Sequence, residues 1–215
     1  MDINKTLRHG LAKPVLHLLA LLPAFWLGWL VLSNDLGANP IERVNRFTGD
    51  WALYMLLIAL AVTPAKLLSG WKSLPRFRRM LGLYSFFYAS LHLTSYLVLD
   101  HQLHWGRIIE DITKRPYIMV GLACVIILTM LAVTSPKAAI RKLGAKAWQK
   151  LHKLVYAAGC LGVIHYYLLV KADIRQPLLM AGILLLLFGI RFWHHRRAAS
   201  SPPKKTSVDR PGHAV

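Results

Sequence analysis

Three histidines of this sequence lie inside apolar stretches, where an ionisable side chain is costly to place. His92 lies in the third apolar stretch, and His152 and His165 lie in the fifth, thirteen residues apart. Such residues are rare within membrane spans, so each marks a candidate functional site. Imidazole is an axial ligand of haem iron, and thirteen helical residues rise about 20 Å, which is enough to separate two haems stacked across a bilayer. The residue type and the spacing therefore indicate haem ligation.

Histidines at these depths require helices that cross a membrane, and the composition provides them. The chain has 215 residues, of which 55% are hydrophobic, and its mean hydropathy is positive. Six stretches are long enough to span a bilayer: 14–33, 51–68, 80–99, 117–134, 148–170 and 177–193. We therefore expect an all-α, polytopic bundle of six transmembrane helices over residues 14–197. Residues 1–13 form an N-terminal segment, and the polar residues 198–215 are expected to be a disordered tail.

The basic residues of the loops indicate how the bundle is oriented. Of the 27 Lys and Arg residues, 20 fall on the side of the two termini, and seven of the nine acidic residues fall on the other side. Cytoplasmic loops carry the excess of Lys and Arg, so both termini are expected in the cytoplasm. The net charge of +18 does not indicate a nucleic-acid partner, because the basic residues form short clusters between apolar stretches and not one continuous face.

His92 and His165 are predicted to form a pair. His92 lies about twelve residues from the cytoplasmic end of its span and His165 about seventeen, so both lie in the middle to outer half of the membrane. One imidazole from each of two helices at similar depth can ligate a single haem. The alternative is that each imidazole bonds an ordinary polar group in the bundle. We predict a b-type haem between the two.

His152 has no histidine partner at its own depth. Fourteen residues before His92 the third span carries Arg78, about 21 Å lower and within about 40° of the same helical face. Arginine is a poor metal ligand because its guanidinium stays protonated. Arg78 can therefore be a topology signal, a partner for a haem propionate or, as a minority hypothesis, a direct ligand. A second haem at His152 can also be five-coordinate or absent.

The geometry of the fifth span leaves a further question open. Thirteen residues of regular helix place His165 about 140° around the axis from His152. Either the helix is locally distorted, which the loose packing of Gly159 and Gly162 favours, or the two histidines face different neighbours. Among the other histidines, His17 is expected to be structural or interfacial, and His101 is expected to be solvated or interfacial.

Two sequence segments resemble a known family. The sequence WQKLHKLVY runs from Trp148 to Tyr156, with a second histidine thirteen residues after His152, and YASLH ends at His92. Together with six spans, these segments resemble the ferric-reductase-like transmembrane domain. Within it the chain is most similar to the haem-binding membrane subunits of bacterial periplasmic methionine-sulfoxide reductase systems. The similarity covers about residues 5–195.

The resemblance implies a function, a location and partners. It implies a protein of the bacterial inner membrane that passes electrons through b-type haem to a periplasmic, molybdopterin-containing catalytic subunit that reduces methionine sulfoxide. The donor would be the membrane quinol pool or a cytoplasmic flavin reductase. FMN is a further cofactor implied by the resemblance alone. At Arg78 the chain departs from the four-histidine pattern of the larger NADPH oxidases and ferric reductases.

Two other classes of protein remain as alternatives. A small transporter or proton-conducting protein would use the histidines as a proton relay, and a membrane anchor would not need them. The sequence contains no P-loop, dinucleotide fingerprint or zinc-ligand spacing. We therefore expect no soluble reductase domain and no substrate-converting site of its own. The resemblance implies a subunit of an oxidoreductase system.

Overall fold

Helices account for nearly all of the folded chain, as a computed structural model shows for residues 3–170 and 172–200. Within those ranges there are α-helices, one π-helix and no strands, which confirms the all-α class. The helices are α1 (Ile3–Arg8), α2 (Ala12–Leu32), α3 (Pro40–Ser69), α4 (Pro75–Thr94) with the π-helix Ser95–Asp100 directly after it, α5 (Trp105–Lys114), α6 (Pro116–Val133), α7 (Lys137–Leu143), α8 (Ala145–His152), α9 (Leu154–Leu169) and α10 (Arg175–Ser200). Of the predicted tail, 198–200 complete α10, and 201–215 lie outside the described residues.

Four helices in the described ranges are long and apolar enough to cross a membrane. They are Ala12–Leu32, Pro40–Ser69, Pro116–Val133 and Arg175–Arg197, and they correspond to the first, second, fourth and sixth predicted spans. The two histidine-bearing spans are also helical but less typical of a span. Helix α4 begins with a cluster of arginines, and α9 has only 16 residues. The count of six spans therefore stays a prediction.

The centre of the bundle consists of two helix pairs, α3 with α4 and α6 with α9. Helix α10 packs against α3 and α9, and α4 also meets α6. Leucines of α3 form the main core with small and apolar residues of α6, α9 and α10. Gly159 permits the close approach of α9, since a Cβ there would lie 3.0 Å from Leu60 Cδ1 and 3.3 Å from Leu184 Cδ1. This glycine therefore serves helix packing.

Helix α2 lies at the edge of the bundle and is held to α4 by two tyrosines. The hydroxyl of Tyr88 donates to Ala20 O at 2.7 Å and accepts from Ala24 N at 3.2 Å. It thus bridges two backbone groups of one turn of α2, beside Pro23, which has no N–H to donate. Tyr84 Oη lies 2.7 Å from His17 Nδ1, so His17 has the structural role expected of it.

The π-helix and the turn after it fold α5 back onto the bundle. His101, at this turn, is only 9% exposed. Its Nε2 lies 3.2 Å from Asp111 Oδ2, and its ring packs edge-on against Tyr96. The expectation of a solvated His101 is therefore wrong, and an interfacial position stays a prediction. Sequence reasoning did not anticipate that α5 returns an acidic side chain to this turn.

The two ends of the bundle differ in chemistry. Arg78, Arg79, Lys153 and Arg191 surround one cavity, and we call this the basic end. The opposite end contains the beginning of α3, the end of α4, the beginning of α6 and the end of α9. Both ends contain histidines that the sequence marks as functional.

Candidate haem site and the adjoining cavity

His92 lies near the end of α4, and its orientation is fixed from α3. Its Nδ1 lies 2.9 Å from the backbone carbonyl of Asn45. A carbonyl only accepts hydrogen bonds, so Nδ1 carries the proton and Nε2 keeps a lone pair for a metal. The side chain of Asn45 is held in turn by the hydroxyl of Ser95, which donates to Asn45 Oδ1 at 2.8 Å. Ser95 is the first residue of the π-helix, an irregularity that is frequent at functional sites.

His165, on α9, is oriented in the same way from α6. Its Nδ1 lies 2.7 Å from the backbone carbonyl of Tyr117, which again places the proton on Nδ1 and leaves Nε2 free. Metal-bound histidines typically donate their other ring N–H to such a partner, which fixes the tautomer and ring orientation. In both imidazoles, a main-chain carbonyl thus leaves Nε2 available to a metal.

A glycine accompanies each of these carbonyls. Gly49 follows Asn45 by four residues, and Gly121 follows Tyr117 by four. A helical carbonyl points along the axis toward the residue four positions on, so a side chain there would occupy the space of the imidazole. A Cβ on Gly49 would lie 3.1 Å from His92 Nδ1, and one on Gly121 would lie 2.7 Å from His165 Nδ1. The same carbonyl-and-glycine arrangement thus occurs on both helix pairs.

The two imidazoles face each other across the centre of the bundle. Their ring centroids are 6.2 Å apart, and their planes make an angle of 75°. Two imidazoles that bind one metal ion from opposite sides at about 2.0–2.1 Å have ring centres roughly 6 Å apart. The spacing therefore fits a single metal ion between His92 and His165, the pair predicted from the sequence.

The donor set indicates which kind of metal group fits. Across the described residues, no group of three or more His, Cys, Asp or Glu side chains is arranged to hold a metal ion. A bare zinc or copper ion needs three or four protein ligands, whereas haem brings its own four nitrogens and needs only axial ligands. Two opposed imidazoles without a third ligand therefore fit haem and not a bare ion.

His152 has a different environment at the basic end. Its Nε2 lies 3.2 Å from Thr134 Oγ1, and its ring stacks on Trp148 with centroids 4.0 Å apart. Trp148 Nε1 donates to the carbonyl of Thr134 at 2.9 Å, which ties α8 to the end of α6. His152 contacts no second histidine among the described residues.

The chain leaves the helical path directly after His152. The predicted fifth span is therefore distorted between His152 and His165. Helix α8 ends at His152 and α9 begins at Leu154. Between them Lys153 N bonds to Lys150 O at 3.3 Å, and Tyr156 N bonds to Lys153 O at 3.0 Å, which is 3₁₀-type bonding. The distortion therefore lies at Lys153 and not at the glycines. It allows His152 and His165 to face the same two helices, α4 and α6.

Arg78 and His152 line one cavity of about 440 Å³ at the basic end, so the structure brings together the two residues that the sequence placed at one depth. Arg191 of α10 lines the same cavity. Sequence reasoning counted Arg191 only as a topology charge. Its position before the end of an apolar span was the available signal, since an ionisable residue there marks a functional site.

Comparison with known proteins identifies the family of this chain. Residues 48–163, more than half of the chain, match the family described as "Ferric reductase like transmembrane component". The "Protein-methionine-sulfoxide reductase heme-binding subunit MsrQ" of Rhodospirillum rubrum is 49% identical over 198 residues, which cover 91% of this chain and 95% of that protein. This chain belongs to the MsrQ family.

Other MsrQ proteins show the same degree of similarity. The MsrQ of Xanthomonas campestris pv. campestris is 47% identical over 207 residues, covering 91% of this chain and 94% of the relative. That of Xanthomonas oryzae pv. oryzae is 46% identical over the same length. The similarity to MsrQ extends well beyond the matched 48–163 segment.

Proposed function

We propose that this MsrQ-family protein is a six-helix membrane subunit that transfers electrons through a b-type haem ligated by His92 and His165. The observation that carries the proposal is the 6.2 Å separation of the two imidazoles, each with Nδ1 on a main-chain carbonyl. The names of the relatives support haem binding. Haem, when bound, supplies an iron that accepts and releases one electron.

The surrounding residues have three tasks in this proposal. The carbonyls of Asn45 and Tyr117 keep each Nδ1 protonated and increase the basicity of Nε2. Gly49 and Gly121 let the rings lie against α3 and α6. The apolar bundle excludes water and adjusts the reduction potential. Together these groups hold the ligands in one geometry, so an electron can arrive and leave with little rearrangement.

The electron path runs between the two ends of the bundle. With the basic end in the cytoplasm, the His92–His165 site lies toward the periplasm. There it would pass electrons to a molybdopterin-containing catalytic subunit that reduces methionine sulfoxide in oxidised proteins. Support comes from the relatives' names, which describe a subunit of a protein-methionine-sulfoxide reductase. The donor is the quinol pool or a cytoplasmic flavin reductase, and FMN is a further proposed cofactor.

His152 and Arg78 belong to the entry side of this path. Both line the cavity at the basic end, and His152 Nε2 is bonded to a threonine and not to a second imidazole. We propose that the cavity receives a second haem or another electron-entry group, with His152 as the available iron ligand and Arg78 beside it. In this arrangement Arg78 binds the anionic periphery of the group.

The proton-relay alternative is less well supported by the geometry. A relay needs successive titratable groups that exchange protons along a path. The Nδ1 atoms of His92 and His165 are instead bonded to main-chain carbonyls, which accept hydrogen bonds but do not carry protons onward. These bonds therefore favour a role as ligands over a role in a proton relay.

An absorbance scan of detergent-purified protein, oxidised and then reduced with dithionite, tests the proposal. We expect His92→Ala and His165→Ala to abolish the absorption of the haem between them, because each variant removes one of its two axial ligands. His104→Ala is the matched control, since His104 lies at the same end of the bundle and its imidazole bonds to the carbonyl of His101. Unchanged spectra and haem content in both ligand variants would contradict the assignment.

A further inference from the structure

The cavity at the basic end combines four cationic side chains with an apolar and aromatic wall. The cations are Arg78, Arg79, Lys153 and Arg191. No acidic side chain is among the described residues that line the cavity, and none of the four cations forms an ion pair within the described residues. Like charges that converge on one space repel each other unless an anion lies between them. Arg78, Arg79 and Lys153 are exposed, so water screens part of this repulsion. The cavity therefore favours an anionic occupant.

Arg191 is the cation that the last helix contributes. One of its nitrogens, Nη2, donates to the carbonyl of Leu60. That carbonyl lacks its usual helical partner, because Pro64 lies four residues later and has no N–H. Arg191 Nε is buried and has no hydrogen-bond partner among the described residues. A guanidinium has five N–H donors, so the bond to Leu60 and the contact with the Tyr156 side chain account for only part of what Arg191 offers.

The rest of the wall indicates the shape of the occupant. The guanidinium carbon of Arg191 lies 5.0 Å from the ring centre of Tyr156, and Trp148 lies stacked on His152. The apolar part of the wall consists of Leu56, Leu60, Leu83, Leu128, Leu131 and Val155. Aromatic and aliphatic walls of this kind accept a flat conjugated ring system, while the guanidinium groups accept carboxylate or phosphate.

We propose that Arg191 binds the anionic arm of a flat conjugated cofactor that occupies this cavity, with Arg78 and Arg79 as the second anchor. The inference rests on the proposed electron-transfer function and adds a binding residue and a ligand class to it. Haem, with its propionates, and a flavin nucleotide, with its phosphate, share this chemistry. If Arg191 only held the Leu60 carbonyl, a neutral donor could replace it. If Arg191 binds an anion, its positive charge is required, and a variant can separate the two roles.

Arg191→Gln separates the two roles of the side chain. The glutamine amide retains an N–H that can donate to Leu60 O, but it carries no charge. Arg191→Lys keeps the charge and loses the planar fork, so it should retain more of the cofactor than the glutamine variant. Arg196→Gln is the matched control, because Arg196 lies on the same helix, is exposed, and stacks on Phe192 outside the cavity.

The measurement is the content of haem, flavin and phospholipid in each full-length protein after purification and extensive washing. Haem is measured by the absorbance of its pyridine complex, flavin by fluorescence after acid extraction, and lipid by mass spectrometry of the extract. We expect Arg191→Gln to retain the haem of His92 and His165 and to bind the second cofactor about 10- to 100-fold more weakly, the range for a lost charge-assisted hydrogen bond. Arg196→Gln should match the wild type.

Several results would overturn the inference while the proposed function stands. These are equal cofactor content in Arg191→Gln and the wild type, a wild type that carries no group beyond the His92–His165 haem, or a cavity group that proves to be only an anionic phospholipid. The spectrum of the His92–His165 haem reports folding of each variant in the same sample. A wild type with no haem at all would refute the proposed function, and this inference with it.

Discussion

At the scale of single residues, the positions of the two imidazoles depend on the glycines opposite them as much as on the histidines themselves. Gly49 and Gly121 each remove a side chain from the position through which an imidazole reaches a helical carbonyl. Histidine stands out in an apolar stretch, whereas a glycine in a membrane helix does not, because glycines are frequent there. The geometry of the two imidazoles therefore depends on residues that the sequence pattern does not mark.

Alanine at these glycines should disturb the two histidines to different degrees. A Cβ at residue 121 would lie 2.7 Å from the His165 ring, and one at residue 49 would lie 3.1 Å from the His92 ring. We expect Gly121→Ala to cost about 1–3 kcal/mol of stability, as overpacking does, and to displace His165 from the Tyr117 carbonyl. Gly49→Ala should have the smaller effect. The absorption and electron-paramagnetic-resonance spectra of the oxidised haem would report ring displacement.

Gly182→Ala is the control for both glycine variants. A Cβ at residue 182 would have nothing within 4 Å, and alanine is the better helix former, so this variant should keep the wild-type spectrum and stability. Equal effects of alanine at residues 49, 121 and 182 would show that the close contacts do not determine the position of the imidazoles.

At the scale of helices, the sequence pattern predicts where helices lie but not where they are interrupted. The apolar stretches predicted where the helices lie, although α3 begins eleven residues before the predicted 51–68 span, α4 begins five residues before 80–99, and α10 continues seven residues beyond 177–193. The break at Lys153 and the π-helix Ser95–Asp100 were not predicted. Both depend on contacts with neighbouring helices, such as Ser95 with Asn45 and Trp148 with Thr134, which the local sequence does not contain.

The sequence likewise predicted only part of the candidate site. The pairing of His92 with His165 followed from depth alone, because helices of known direction place residues at predictable heights. The carbonyl partners, the glycines and Arg191 depend on which faces of the helices meet, and a single sequence does not specify rotation about a helix axis. The position of Arg191 also depends on Pro64, 127 residues earlier, because Pro64 leaves the Leu60 carbonyl without its helical partner.

The attachment of α2 gives a prediction at this scale. Tyr88 is fully buried, and its hydroxyl bridges Ala20 O and Ala24 N. Tyr88→Phe keeps the ring and leaves those two backbone groups without the bridge, so we expect a loss of about 1–3 kcal/mol. A lower thermal unfolding temperature in detergent would show it. Tyr84→Phe is the control, because the hydrogen bond it removes, to His17, is exposed and should cost less. An unchanged unfolding temperature for Tyr88→Phe would contradict this account.

At the scale of the whole molecule, the two ends of the bundle differ in charge, and the orientation of these ends in the membrane sets the direction of the proposed electron path. The cavity and its four cations lie at one end, and the acidic residues of α5, Glu110 and Asp111, lie at the other. In the proposed path, an electron that enters at the basic end would travel toward His92 and His165. The direction of the path thus depends on which end faces the cytoplasm.

Cysteine labelling in intact spheroplasts tests the orientation. Thr113→Cys places an exposed thiol on α5, and Lys142→Cys places one on α7. With the basic end in the cytoplasm, a membrane-impermeant maleimide should label residue 113 in intact spheroplasts and residue 142 only after permeabilisation. The native Cys124 is buried and Cys160 is partly buried, so the parent protein provides the background. The reverse labelling pattern would place His92 and His165 toward the cytoplasm, and a periplasmic partner could then receive electrons only from the cavity end.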